Sequence, residues 1–216
     1  MNKLAVLAFT MLAILGGLLW YVAGSSLNPY LAQYGNEINK THPDLSIAFG
    51  LTEINNQQGI ASTSQFILAP SAQSLTPRLQ LDNIRFNYDP KSFKKDAVAI
   101  KLISIESATL SLSKNNALAE LAPFNELLLT IVEQTKLAGE NSGITGKNEP
   151  KVHIIELTIN TLHVTLFEGG EPQQEQIFQG VKITPTLQQG IISMAFTQLN
   201  IDIIEHASHL LATSEL

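Results

Sequence analysis

The 216-residue chain is 44% hydrophobic but only 15% charged, and it holds no cysteine. Soluble domains average roughly 25% charged residues, so the polar surface here must be built from Asn, Gln, Ser and Thr, which argues against a disordered chain. A net charge of −6 with no Arg/Lys-rich stripe excludes a phosphate-seeking nucleic-acid binder, and the missing thiols exclude disulfides, thiolate metal sites and cysteine nucleophiles.

Residues 1–3 form a short tail. Leu4 to Gly24 is then an apolar run without a charge. As a helix it would measure about 30 Å, which matches the hydrocarbon core of a bilayer. Trp20 and Tyr21 close the run, where amphipathic rings favour the membrane interface. A cleaved signal peptide competes with this reading, with Val22-Ala23-Gly24 as a poor cleavage site. The run exceeds the roughly 7–15 apolar residues of a signal peptide, and an amphipathic pattern follows it directly, so an uncleaved anchor at 4–24 is the reading taken. Lys3 precedes the run and no Lys or Arg follows until Lys40. That bias puts the N-terminus in the cytoplasm and the main domain outside, which in a two-membrane bacterium is the periplasm.

Asn28-Pro29 reads as a helix start, Asn capping and Pro fitting the first turn. Leu27, Tyr30, Leu31, Tyr34 and Ile38 follow on one face, predicting an amphipathic helix over 27–40. From 45 to 187 the signal is β. Alternation over Leu45–Phe49 and Ile60–Leu68 flanks turn material at Asn55–Gly59.

An apolar motif then recurs. Leu79, Leu81, Ile84 and Phe86 are spaced 2, 3, 2; Val98, Ile100, Ile103 and Ile105 repeat this 19 residues on; Val152, Ile154, Leu157 and Ile159 repeat it a further 54 on. Leu110 and Leu112 match Val164 and Leu166 by the same shift of 54. A strand of period 2 cannot take a step of 3 without changing face, so each copy implies a β-bulge or a bend.

Helices interrupt the sheet. Asn116 caps a run predicted to be helical near 116–138, with Pro123 splitting off a short turn before a main helix at Phe124–Leu137. Residues 139–150 have the composition of a polar linker. Gly169-Gly170-Glu171-Pro172 closes a hairpin, Ile177–Leu187 forms a last strand, and 198–212 a C-terminal helix with Leu199, Ile203, His206 and Leu210 on one side. The expected fold class is α+β: one N-terminal transmembrane helix, then a curved, mostly antiparallel sheet of repeated bent strands packed with two or three helices.

No motif for covalent chemistry is present: neither G-x-S-x-G, the phosphate loops nor H-E-x-x-H occurs. His206 and His209 with Glu205 are the only conceivable metal ligands, and nothing announces a third or fourth partner. His153 and His163 fall out of phase with the apolar set and read as solvent-facing. Lys91, Lys94 and Lys95 after Asp89-Pro90 read as a solvated loop tip. No catalytic residue, metal or cofactor is expected.

The order of segments is similar to that of a known family. A single anchor precedes Tyr34-Gly35-Asn36-Glu37-Ile38. Two strands around Gly59 lead to Leu81-Asp82-Asn83-Ile84-Arg85-Phe86-Asn87-Tyr88-Asp89-Pro90-Lys91-Ser92-Phe93, followed by the repeated strands at Val98–Glu106 and Lys151–Ile159. This resembles the N-terminal part of the AsmA-like envelope proteins, over roughly Leu4 to Leu187. The family's early "N-P-x-G-F" is replaced by Ala69-Pro70-Ser71-Ala72, and the chain is far shorter than the large members.

The resemblance implies a non-enzymatic protein of the bacterial inner membrane, with a periplasmic domain connected with lipid transport or outer-membrane assembly. A curved sheet that helices cover incompletely leaves an apolar groove. Its candidate lining is Leu81, Ile84 and Phe86, then Ile100, Ile103 and Ile105, then Ile154, Leu157 and Ile159. The expected partners are the membrane and either phospholipid or, on the alternative reading, other envelope proteins bound by a tethered scaffold.

Overall fold

The computed structural model describes residues 46–55, 57–71, 73–94, 97–117, 119–126, 128–129 and 151–213. The anchor expected at 4–24, the amphipathic helix expected at 27–40, the part of the 116–138 run beyond 129 and the linker at 139–150 lie outside the described residues. Among the described residues no helix is long and apolar enough to cross a membrane.

The described fold is an α+β arrangement of one open nine-stranded sheet and two helices. The strands are β1 (Ser46–Phe49), β2 (Thr52–Asn55), β3 (Ile60–Ala69), β4 (Arg78–Tyr88), β5 (Ala97–Ser113), β6 (Lys151–Ile154), β7 (Leu157–Glu168), β8 (Glu171–Ile183) and β9 (Gln189–Ile191). Helix α1 lies within 117–129, and α2 spans Ile192–Thr213.

β1 and β2 share β3 as an antiparallel neighbour, and β3, β4 and β5 follow as antiparallel strands. The expected antiparallel order then changes, because β5 pairs in parallel with both β6 and β7. β9 pairs antiparallel with β6, and β8 with β7. The sheet is therefore mixed, with its parallel seam at β5. Parallel neighbours need a crossover of a dozen or more residues, which the segment from 114 to 150, containing α1, supplies.

The sequence repeat has a direct structural meaning at that seam. Ile100 pairs with Ile154, Ile103 with Leu157 and Ser113 with Phe167, so the shift of 54 is the register of the parallel pair along its whole length. The first copy relates to the second differently. β4 runs antiparallel to β5, and Leu79, Leu81, Ile84 and Phe86 face Leu110, Ala108, Ile105 and Ile103.

The steps of three also line up. Register is kept on either side of Ser64, Asn83, Glu106, Asn160 and Gly180, each of which is left out of the regular pairing and exposed. The row continues to Gly50-Leu51, the break between β1 and β2, where the Gly50 N–H donates to the Gln65 carbonyl at 2.8 Å. These are not isolated bulges. All neighbours take the odd step together, so a crease crosses the sheet without loss of register. Asn83 (φ 51) and Gly180 (φ 63) adopt left-handed backbone on it, the conformation that Asn and Gly tolerate best.

At the other step of three, between Ile100 and Ile103, β5 does hold an extra residue. Its register against β4 shifts where Asn87 faces Leu102 and Tyr88 faces Ile100. Nearby, Asp89 opens the Pro90–Lys94 3-10 turn by accepting the Lys91 N–H at 3.0 Å on Oδ1. The buried Ser92 hydroxyl accepts the Ala99 N–H at 2.9 Å.

Two helix expectations are corrected. The helix near 117–129 runs through Pro123. Pro123 and Ala119 lie on its exposed side, where a carbonyl deprived of its helical donor is open to water. The C-terminal helix starts at Ile192, immediately after β9, six residues before the expected 198. Its buried side carries Leu199, Ile203, Ala207 and Leu211, with His206 and Leu210 only half-buried. The apolar stripe is therefore one position round from the expected one.

Candidate functional site

The steps of two and three select one face of the sheet, and that face is apolar across β4, β5, β6 and β7, with the buried Thr63 on β3 and Gln174 and Gln176 on β8 as its polar margins. On β5 it consists of Val98, Ile100, Ile103, Ile105, Ala108, Leu110 and Leu112. On β6 and β7 it consists of Val152, Ile154, Leu157, Ile159, Leu162, Val164 and Leu166, the same positions plus 54, all buried. Ala61, Phe66 and Leu68 of β3 and Val181 and Ile183 of β8 extend it to either side.

Helices lie over this face. Leu121, Phe124 and Leu128 of α1 and Ala195, Leu199, Ile203, Ile204 and Ala207 of α2 belong to the same continuous core. α2 packs on β6, β7, β8 and β9. From Leu199 to Ile204 every residue of α2 is buried, Asn200 and Asp202 included. Asp202 holds the loop after β8 to the helix, accepting the Thr186 N–H at 2.9 Å and the Gln198 amide at 3.1 Å.

The structure brings all nine groove candidates together on this one face. Leu81, Ile84, Ile100, Ile103, Ile105, Ile154, Leu157 and Ile159 are each at most 5% exposed, and Phe86 is partly buried against the same core. In the described arrangement they pack the interior between sheet and helices.

Two further members, Ala108 and Leu162, complete a second step of three after Ile105 and Ile159. Alanine's small apolar weight hid that step in the sequence. The other overlooked residue is Glu120 on α1. Its carboxylate accepts the N–H of Ser113, the last residue of β5, and a hydrogen bond from the Thr76 side chain, while burial raises its pKa above the usual carboxylate value. Its place just after the Asn116 cap was the only signal of it in the sequence.

The opposite face is polar and open. Gln65 and Gln80 both donate to Asp82, at 3.0 to 3.2 Å. Asn83 donates to Glu106 at 2.6 Å along the crease. Thr161 bonds Gln179 at 3.3 Å, and His163 Nδ1 lies 2.8 Å from Glu175. His163 is thus half-buried beside a carboxylate, while His153 and His209 are exposed. Among the described residues no three His, Asp or Glu side chains converge as a metal site would require. The exposed large apolar side chains, Leu51, Leu75, Leu129, Ile155 and Ile177, belong to different elements.

No protein-family model matches the chain, and no curated protein matches it either.

Proposed function

We propose that this is a non-enzymatic protein of the bacterial envelope, anchored in the inner membrane by 4–24 with its sheet domain in the periplasm. Its work is lipid transport or outer-membrane biogenesis, with an acyl chain held against the apolar sheet face. The observation that carries this reading is the continuity of that face across β4, β5 and β7, covered among the described residues by separate helices and not by a second sheet. The resemblance to the AsmA-like proteins supports the same class. Since the nine candidates pack the core, an acyl chain reaches them only where a helix gives way. α1 is the helix placed to do so, because it sits inside the long crossover between β5 and β6 and carries a single buried stripe.

A second reading has its own observation. The close burial of eight candidates favours a purely structural role for them. Function would then lie outside the core, in a membrane-tethered scaffold without lipid. β8 has no neighbour but β7 among the described residues, and an open edge can accept an added strand.

Both readings are tested in one experiment on the full-length protein in living bacteria. A photo-crosslinking amino acid is placed at Phe124, on the buried side of α1, or at Ile177, on β8. A phospholipid adduct at Phe124 supports the lipid reading. No lipid adduct there, with a protein adduct at Ile177, would sink it in favour of the scaffold.

A further inference from the structure

We propose that β8 is a docking edge for a second copy of this chain: two β8 strands pair antiparallel about a two-fold axis between Gln179 and Gly180, joining the sheets edge to edge. This names an occupant for the edge left open in the scaffold reading, and it rests on that reading of β8. Three observations carry it. First, the edge is bare. Among the described residues β8 pairs with β7 alone, and Glu171 to Glu175, Ile177, Gln179, Gly180 and Lys182 are all exposed. Ile177, an apolar residue in mid-strand, is 52% exposed. A Cβ built at Gly180 would meet nothing within 4 Å, so a second backbone can approach closely there.

Second, the crease restricts what can pair. Opposite residues of an antiparallel pair share a face. Phe178 and Val181 stand opposite the buried Leu162 and Ile159, on the inner face, while Ile177, Gln179 and Lys182 stand opposite His163, Thr161 and Thr158 on the outer one. The inner residues of β8 therefore step by three across Gly180, and an added strand must take the same step at the same place. β8 matches itself. Setting Phe178 against the partner's Val181 places Ile177 against the partner's Lys182 and Gln176 against the partner's Ile183, and each pair shares a face. Each copy contributes the same residues, as a two-fold contact requires.

Third, the charges agree. On the outer face Glu175 lies diagonal to the partner's Lys182, a separation of about 7–8 Å that long side chains bridge, and the two-fold makes this contact twice. Lys182 lies 3.7 Å from Glu156 of its own chain and is 77% exposed, so its side chain is free to turn. Pro172, which has no N–H to give, falls outside the paired stretch 176–183.

The chain has no cysteine, so one introduced thiol reports one contact. In this register the two copies of Gln179 lie diagonally across the axis, about 6 Å apart at Cα, which is within disulfide range. The full-length protein carrying Gln179→Cys is oxidised mildly in membranes of the producing bacteria and run on a non-reducing gel. A disulfide-linked dimer is expected, several-fold above that of Asn160→Cys, which is also exposed on the crease but one strand further in. Adding Ile177→Lys sets like charges opposite each other and is expected to lower the yield several-fold; adding Lys182→Glu as well is expected to restore it. Equal crosslinking of Gln179→Cys and Asn160→Cys would overturn the proposal, and so would a yield that Ile177→Lys leaves unchanged. The open-edge reading fails separately: it stands if Gln179→Cys gives no dimer while a photo-crosslinker at Ile177 captures a protein of another mass, and it falls if Ile177 captures none.

Discussion

β5 and the β6–β7 pair carry the same apolar spacing, lie side by side in register, and are handled differently by the fold. β5 is one strand of 17 residues that absorbs its first step of three as a bulge against β4. In the neighbouring copy the same step falls at Ile155-Glu156, where the strand breaks. There the Ile155 N–H donates to the Ile100 carbonyl at 3.1 Å and the Ile103 N–H to the Glu156 carbonyl at 2.9 Å. The difference lies in the outer neighbours. β4 follows β5 past the step, whereas β6 and β7 face separate strands, β9 and β8, and the Ile154 N–H bonds the Gln188 carbonyl between them. An apolar pattern sets which side chains turn inward; the hydrogen-bonding neighbour sets whether the backbone bulges or breaks.

The largest test of this equivalence removes the same side chain from both copies. Ile105→Ala and Ile159→Ala are each expected to cost about 2–5 kcal/mol by urea unfolding, because both are fully enclosed. A much smaller loss at Ile159 would mean that the second copy packs loosely and would break the comparison.

The crease that both copies share gives the next test. Asn83→Ala is expected to cost about 1–2 kcal/mol from the left-handed backbone alone, while Asn83→Gly is expected to stay nearer the parent. Gly180→Ala has open space around the new Cβ and isolates the conformational cost, about 1 kcal/mol. If Gly180→Ala is silent, backbone conformation is not what holds the outer end of the crease.

Tyr88 sharpens the β4 side of the bulge. Burial raises the pKa of its phenol from 10.0, so the folded state holds the proton more tightly than the unfolded chain. Stability is expected to be level below about pH 10 and to fall above it. Tyr88→Phe should flatten that alkaline loss in a pH series of unfolding midpoints, and an unchanged loss would place its origin elsewhere. The smallest effect is expected at Glu175→Gln, which removes the half-exposed partner of His163. An exposed pair of this kind contributes about 0.2–1 kcal/mol, read as a shift in unfolding midpoint.

Much of the sheet was legible in the chain itself. The apolar spacing predicted the strands at 79–86 and 98–105, the third copy at 152–159 is divided at Ile155-Glu156 into β6 and β7, and the shift of 54 turned out to be a pairing register. The hairpin at Gly169-Gly170 and the turn at Asp89-Pro90 announced themselves through residues whose backbone preferences are local. Such signals survive in one dimension because side-chain alternation and turn chemistry depend on near neighbours alone.

What only the tertiary structure decided is long-range. The parallel seam at β5, the crease from Gly50 to Gly180, and the burial of the groove candidates beneath α1 and α2 depend on which strands become neighbours. The early start of α2 belongs with them: the run from Gly190 is apolar enough for either strand or helix, and packing on β6 to β9 chose the helix. The same holds for Glu120. A carboxylate on a short helix is ordinarily a solvated side chain, and it acquires a raised pKa and two hydrogen bonds only because the end of β5 and the loop before β4 close around it. Periodicity names the residues that turn inward, but contacts between distant segments determine what they meet there.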